Sequence, residues 1–220
     1  ELAFQETRTA GIVAAELARL GIAHRTGVGV TGVVGEIKGA RPGPTLAIRA
    51  DMDALPIHEE TALDFASTID GQMHACGHDG HTTMLLGAAR ELAQSRAFDG
   101  TVIVIFQPAE EGGAGAKAMI DDGLFKRWPV NEVYGMHNRP NLAVGHFTIN
   151  SGPIMGSVDV LEITIEGVGG HAASPHQTID PIPVTAALIQ AIQTLTARTI
   201  DPLDSAVISI TTIQGGDAFN

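Results

Sequence analysis

Met73-His74-Ala75-Cys76-Gly77-His78-Asp79-Gly80-His81 places three His, the only Cys and an Asp within eight residues. Thiolate and imidazole at that density suit a borderline-soft divalent ion such as zinc, and such an ion would itself deprotonate the thiol. The plainer reading is a buried or reactive Cys beside surface His. Farther on, Gln107-Pro108-Ala109-Glu110-Glu111-Gly112-Gly113 carries adjacent carboxylates. In extended chain their side chains point to opposite sides, so one can bind metal while the other faces substrate. A carboxylate beside a metal-bound water is the usual arrangement for making hydroxide near neutral pH. His137, after Gly135-Met136, is a candidate to complete a ligand set. Asp51 and Asp53 share one side of an extended chain, where they can bind metal or orient a ligating His. His171, in Gly169-Gly170-His171-Ala172-Ala173-Ser174-Pro175-His176, is a candidate oxyanion stabiliser on a Gly-rich loop. A turn-capping Asp pair, a solvated Glu pair and structural His remain the plainer alternatives for these positions.

These groups need elements to hold them. Thr101 to Gln107 is a continuous apolar, β-branched run, as in a strand buried on both faces. His81 to Ser95 reads as an amphipathic helix with Met84, Leu85, Ala88, Ala89 and Leu92 on one face, and Thr7 to Leu20 as another through Ile12, Leu17 and Leu20. Thr31 to Lys38 and Thr45 to Arg49 flank a Pro/Gly turn and read as a β-hairpin whose second arm delivers Asp51 and Asp53. Ala114 to Asp122 reads as a helix and Glu132 to Met136 as a short strand. Alternating strands and helices predict a layered α/β fold with a mixed, mostly parallel sheet, whose active groups gather at the carboxyl ends of strands. Beyond Gly152-Pro153 the pattern changes: strand-like Ser157 to Glu166, helical Ile182 to Thr199 and strand-like Ser205 to Ile213 predict a smaller α+β domain. The expected division is 1–154 and 155–220.

Composition narrows the partners. A formal net charge of −12 on 220 residues makes nucleic acid and membrane surfaces poor partners, and no apolar run has the length of a membrane helix. One Cys excludes an intrachain disulfide framework and fits a reducing, cytoplasmic compartment. Gly27-Val28-Gly29-Val30-Thr31-Gly32 matches a dinucleotide fingerprint in letters, yet a strand-like segment follows where a helix is required. Gly112 to Lys117 lacks the ending of a phosphate loop, and His58-Glu59-Glu60 lacks the second His of a zincin.

Taken in order, Arg49-Ala50-Asp51-Met52-Asp53-Ala54-Leu55-Pro56, the Met73–His81 run, Phe106–Gly113, Met136-His137 and Gly169–His176 resemble the amidohydrolase branch of the aminoacylase/carboxypeptidase metallopeptidases. That branch includes hippurate hydrolases and plant auxin-conjugate hydrolases. The resemblance spans nearly the whole chain. It implies a hydrolase with two divalent metal ions per subunit (Zn, Mn, Ni or Co) that cleaves the amide of an N-acyl amino acid. Cys76, His78, Glu111 and His137 resemble the metal ligands, and Glu110 the general base. Asp53 matches the acidic residue that supports the site, and Asp51 stands where other branches carry a ligating His. His171 resembles the lid-domain His that reaches the substrate carbonyl across a homodimer, formed through the lid. The family also uses a metal-ligating His from beyond the lid, so the 220 residues are expected to be an incomplete enzyme, with Thr212 to Asn220 matching the lid's middle. A dipeptidase or carboxypeptidase of the same superfamily, and a non-catalytic metal-binding or interaction protein, are the competing readings.

Overall fold

β3 (Arg41–Asp51) and β4 (Asp99–Gln107) lie side by side and parallel, with Asp51 opposite Gln107 at their carboxyl ends. This computed structural model describes residues 1–218; Phe219 and Asn220, which end the segment read as the lid's middle, lie outside the described residues. The chain separates into two units, Glu1–Phe147 and Thr148–Asn220.

The first unit adds α1 (Thr7–Arg19), β1 (Ala23–Val28), β2 (Gly32–Lys38), α2 (His78–Ser95), α3 (Gly115–Asp121), α4 (Leu124–Arg127) and β5 (Glu132–Gly135). The five strands form one mixed sheet in the order β1-β2-β4-β3-β5. β1–β2 and β2–β4 pair antiparallel, while β4–β3 and β3–β5 pair parallel. The layered α/β expectation holds. The apolar run of β4 is explained by its central place: Val102, Val104 and Phe106 face a core shared with α1 and α2, and Ile103 and Ile105 face a second core closed by Met119 and Leu124. Two cores back to back leave β4 no solvent side.

Three sequence expectations shift. The hairpin of Thr31–Lys38 with Thr45–Arg49 does not form, because β4 separates β2 from β3. The connection is pinned instead to the start of β4: Gly39 N–H donates to Gly100 O at 2.9 Å and Ala40 N–H to Phe98 O at 2.9 Å. β2 takes its hairpin partner from the other side, β1, through the Gly-rich turn before Gly32. The helices bury most of the faces read from their letters, Leu17, Leu85 and Ala89 among them, with Leu20 and Leu92 packed against the core, but each leaves one predicted residue outside. α1 buries Ala10, Val13 and Leu17 and exposes Ile12, while α2 buries Leu85 and Ala89 and exposes Met84. Finally, α2 begins at His78, three residues before the predicted start at His81.

Among its described residues the second unit has one long helix, α5 (Pro181–Thr199), whose N-terminus is capped by Asp180 accepting from Ile182 N–H at 2.9 Å, with Pro181 at its first position. Ser157–Glu166 and Ser205–Ile213 are not paired strands; only Val168 and Ile179 form a bridge there among the described residues. Alternation specifies two faces and supplies no ladder partner, so these segments keep Val158, Val160, Leu161 and Val207 exposed. Among the described residues, no helix is long and apolar enough to cross a membrane.

Replacing Phe106, which is fully buried where β4 meets α1 and α2, by Ala is expected to lower unfolding free energy by about 3–5 kcal/mol. Urea denaturation followed by circular dichroism measures it.

Candidate active site at the carboxyl edge of the sheet

The register determines which residues can meet. Asp51 ends β3 opposite the end of β4, and Arg49 pairs with Gly135 at the end of β5. Asp51 and Asp53, Glu110 and Glu111, and His137 therefore leave three neighbouring parallel strands at one edge. α2 starts over that edge. Its first residue, His78, follows Gly77, whose left-handed φ of 87° fits a residue without Cβ; a Cβ there would meet the Asn138 side chain at 2.8 Å.

His78 is fully buried at the centre. Its Nδ1 lies 3.2 Å from Asp53 Oδ1, and its Nε2 lies 3.6 Å from Asp51 Oδ2, 3.8 Å from Glu111 Oε1 and 3.9 Å from Glu110 Oε2. Asp53 uses its other oxygen to accept the Glu111 N–H at 2.8 Å. Cys76 Sγ lies 3.3 Å from His137 Nε2, while His137 Nδ1 donates to the Asn138 carbonyl at 2.7 Å. Both His78 and His137 thus anchor Nδ1 on an oxygen and turn Nε2 into the cluster, the orientation that a metal-ligating imidazole takes from its supporting hydrogen bond.

The donor set fits a divalent cation. His78 Nε2 and Glu111 Oε1 are buried side-chain atoms with no hydrogen-bond partner, and they face each other. Orphaned polar atoms are costly in a native interior unless something satisfies them. Among the described residues, three overlapping groups have ligand atoms near enough to hold an ion: Cys76 with His78 and His137; His78 with Glu110 and Glu111; and Asp51 with His78 and His81. The third is the least available. His81 uses Nδ1 on Asp51 Oδ1 at 2.7 Å, and its Nε2 accepts the Asn138 N–H at 3.0 Å. Asp51 also receives Arg49 Nη1 at 2.8 Å. His81 and Asn138 were not singled out from the sequence; reading α2 from His78 would have put His78 and His81, three apart, on one helix face.

Charge explains the protonation pattern. Burial alone would raise Asp51 and Asp53, yet both are held below the ordinary carboxylate value, Asp51 by His81, Arg49 and His78, Asp53 by His78 and backbone N–H groups. Burial works against the His78 imidazolium, but the Asp53 hydrogen bond and the charges of Asp51, Asp53 and Glu110 prevail and raise it. Burial pushes the Cys76 thiol up to about 11, helped by Glu111, Glu110 and Asp51. A bound cation reverses the sign of that local field.

Glu110 stands at the open side with its side chain partly exposed, and Glu111 turns inward. His171 belongs to the second unit, exposed in a turn where its Nδ1 accepts the Ala173 N–H at 3.1 Å.

Fold and cluster together define a candidate divalent-metal site at the carboxyl edge of a mixed α/β sheet, and comparison with known proteins gives the family. Residues 47–218 match the family described as Peptidase family M20/M25/M40, and the chain belongs to that family. It is 51% identical over 191 residues to an N-acetylcysteine deacetylase of Bacillus subtilis, covering 86% of this chain and 50% of that protein. It is 46% identical over 224 residues to thermostable carboxypeptidase 1 of Saccharolobus solfataricus, covering 100% of this chain and 56% of that one. Among solved structures, the Bacillus subtilis YXEP protein, a dinuclear metal binding peptidase from the M20 family, superposes with a TM-score of 0.71 at 40% identity, covering 100% of this chain and 56% of that chain. The chain thus spans about half the length of these relatives.

The pKa directions set a pH window for the metal-free protein. Asp51 and Asp53, depressed on folding, contribute stability above their ordinary 3.8 that is lost as pH falls through the lower folded values. His78, raised on folding, contributes below its ordinary 6.5 and loses that contribution as pH climbs through the higher folded value. These three groups stabilise most between the two ordinary values. The urea midpoint of EDTA-treated protein should fall on both sides of that window, and Asp53→Asn should flatten the alkaline limb.

Proposed function

We propose that the full-length protein is a metal-dependent hydrolase that cleaves the amide bond of N-acyl or aryl-acyl L-amino acids, giving a carboxylate and a free amino acid. The observation that carries this reading is the pair of unpartnered buried atoms, His78 Nε2 and Glu111 Oε1, with the Glu110 carboxylate beside them on the open side. Cys76, His78, Glu111 and His137 would hold the metal, two divalent ions per subunit drawn from Zn, Mn, Ni and Co. Divalent ions bound there would lower the pKa of water and polarise the amide carbonyl.

The protein's own groups do the rest. Asp53 fixes His78 through Nδ1 and fixes the Glu111 backbone, so two donors of the set are held by one carboxylate. Asp51 and Arg49 hold His81, which supports the Asn138 backbone next to His137. Glu110 takes the proton of the attacking water and returns it to the leaving amine. His171, contributed by the second unit of a homodimer partner, donates to the oxyanion. The segment 155–220, set apart by the sequence pattern, serves as lid and dimerisation domain. The deacetylase relative supports an N-acyl substrate.

A second reading, a carboxypeptidase or dipeptidase, is favoured by the similarity to the Saccharolobus carboxypeptidase over the whole chain. The two differ in whether the substrate's amino terminus is blocked. Turnover of N-acyl amino acids against unblocked dipeptides separates them. In the same assay, Glu110→Gln is expected to lower kcat about a thousandfold with metal content, measured by plasma mass spectrometry, unchanged. Loss of metal with turnover retained would overturn the assignment of Glu110.

A further inference from the structure

Glu6 is fully buried, far from the motifs in sequence, and its carboxylate has three donors. Oε1 accepts the Phe4 N–H at 3.0 Å and the Ala109 N–H at 2.8 Å, and Oε2 accepts the Thr31 hydroxyl. Ala109 immediately precedes Glu110 and is itself fully buried, with a φ of 49° in the left-handed region. That conformation costs a residue with a Cβ about 1 kcal/mol or more, so surrounding bonds must hold it. Both backbone groups of Ala109 are held: its N–H by Glu6, its carbonyl by the Gly115 N–H at 3.0 Å. Pro108, just before it, has no N–H to offer. Two residues later, Asp53 accepts the Glu111 N–H. The Glu110-Glu111 pair therefore hangs between two backbone N–H groups, each held by a buried carboxylate.

We propose that Glu6 is a positioning residue for Glu110 and Glu111: by holding Ala109 N–H in the left-handed turn beyond β4, it aims both carboxylates toward His78. The role in turnover rests on the hydrolase reading above, whereas the effect on the metal-ligand set does not. What matters at position 6 is an acceptor of the right reach. Gln keeps one oxygen for the Phe4 and Ala109 N–H groups and offers its amide to Thr31, whose hydroxyl can turn to accept. Met has the same length and accepts neither.

The test uses the full-length gene product, at a temperature where circular dichroism shows every variant folded. Glu6→Met is expected to lower kcat on an N-acetyl amino acid about a hundredfold, with KM within about threefold of wild type. Glu6→Gln should restore kcat to within about threefold. Thr31→Val, which removes only the bond away from the turn, should lower stability and leave kcat in place. With cobalt(II) loaded, the visible absorption of Glu6→Met should differ from wild type and that of Glu6→Gln should match it. A folded Glu6→Met with wild-type kcat and cobalt spectrum overturns the proposal. Should Glu6→Met not fold, Glu6→Asp, one methylene shorter and out of reach of Ala109, is expected to show the same losses, and wild-type values there overturn it. A wild-type protein that hydrolyses no N-acyl amino acid refutes the hydrolase reading, and the cobalt spectra then decide the role of Glu6.

Discussion

Asp53 accepts from His78 Nδ1 with one oxygen and from the Glu111 N–H with the other, and through that shared carboxylate the helix and the strand end are kept in one register. Neither contact is local: the first joins the start of α2 to the end of β3, and the second depends on the parallel pairing of β3 with β4. A carboxylate with both oxygens engaged by donors stays ionised in a buried place, and an ionised Asp53 in turn favours the proton on His78. The interior of the site is consequently a set of negative groups arranged around one imidazole, with Arg49 the permanent cation in contact with Asp51. Such an arrangement is tolerable in a fold when each oxygen has a donor or awaits a cation.

The amino-terminal segment completes the same logic from below. Glu1 places its carboxylate on the N–H groups of Arg8 and Thr9 at the start of α1, where the helix dipole favours negative charge. Its carbonyl accepts the Ala54 N–H beside Asp53. Glu6 reaches Thr31 and Ala109. Within the first six residues, Glu1 and Glu6 thus touch the segments that follow β3 and β4 and the turn before β2, all at the edge that carries the candidate site.

Much of the candidate site was legible in the sequence because its residue types are local in letters: Cys76 and His78 share one motif, Glu110 and Glu111 another, and His137 follows a strand. The supporting groups were less legible. His81 reads as the start of a helix and Asn138 as a loop residue; their partnership depends on α2 beginning at His78 and bringing His81 to the segment after β5, which no window of sequence contains. Glu6 lies in a segment with no motif, and its burial is visible only once Ala109 is seen in its left-handed turn. For the fold, β4's apolar run announced a central strand, whereas the β2–β3 hairpin was inferred from proximity and Pro/Gly content. Pairing choice is a competition among partners, and β4 gains two buried faces by lying between them. In the second unit, alternation in Ser157–Glu166 and Ser205–Ile213 described side-chain faces and was silent on partners.

The sheet order carries a kinetic consequence. β2 and β3 are joined by a short turn, so their local pairing closes a small loop and can form first, yet the native sheet requires β4, which emerges only after α2, to be inserted between them. The early hairpin must be absent or must open again, and the pairings that replace it span long loops. The residues of the site lie on the far side of that step, since Asp51 faces Gln107 only once β4 is in place. This edge therefore cannot be assembled before the central strand is in place, and a chain with β2 against β3 would carry every motif and no site.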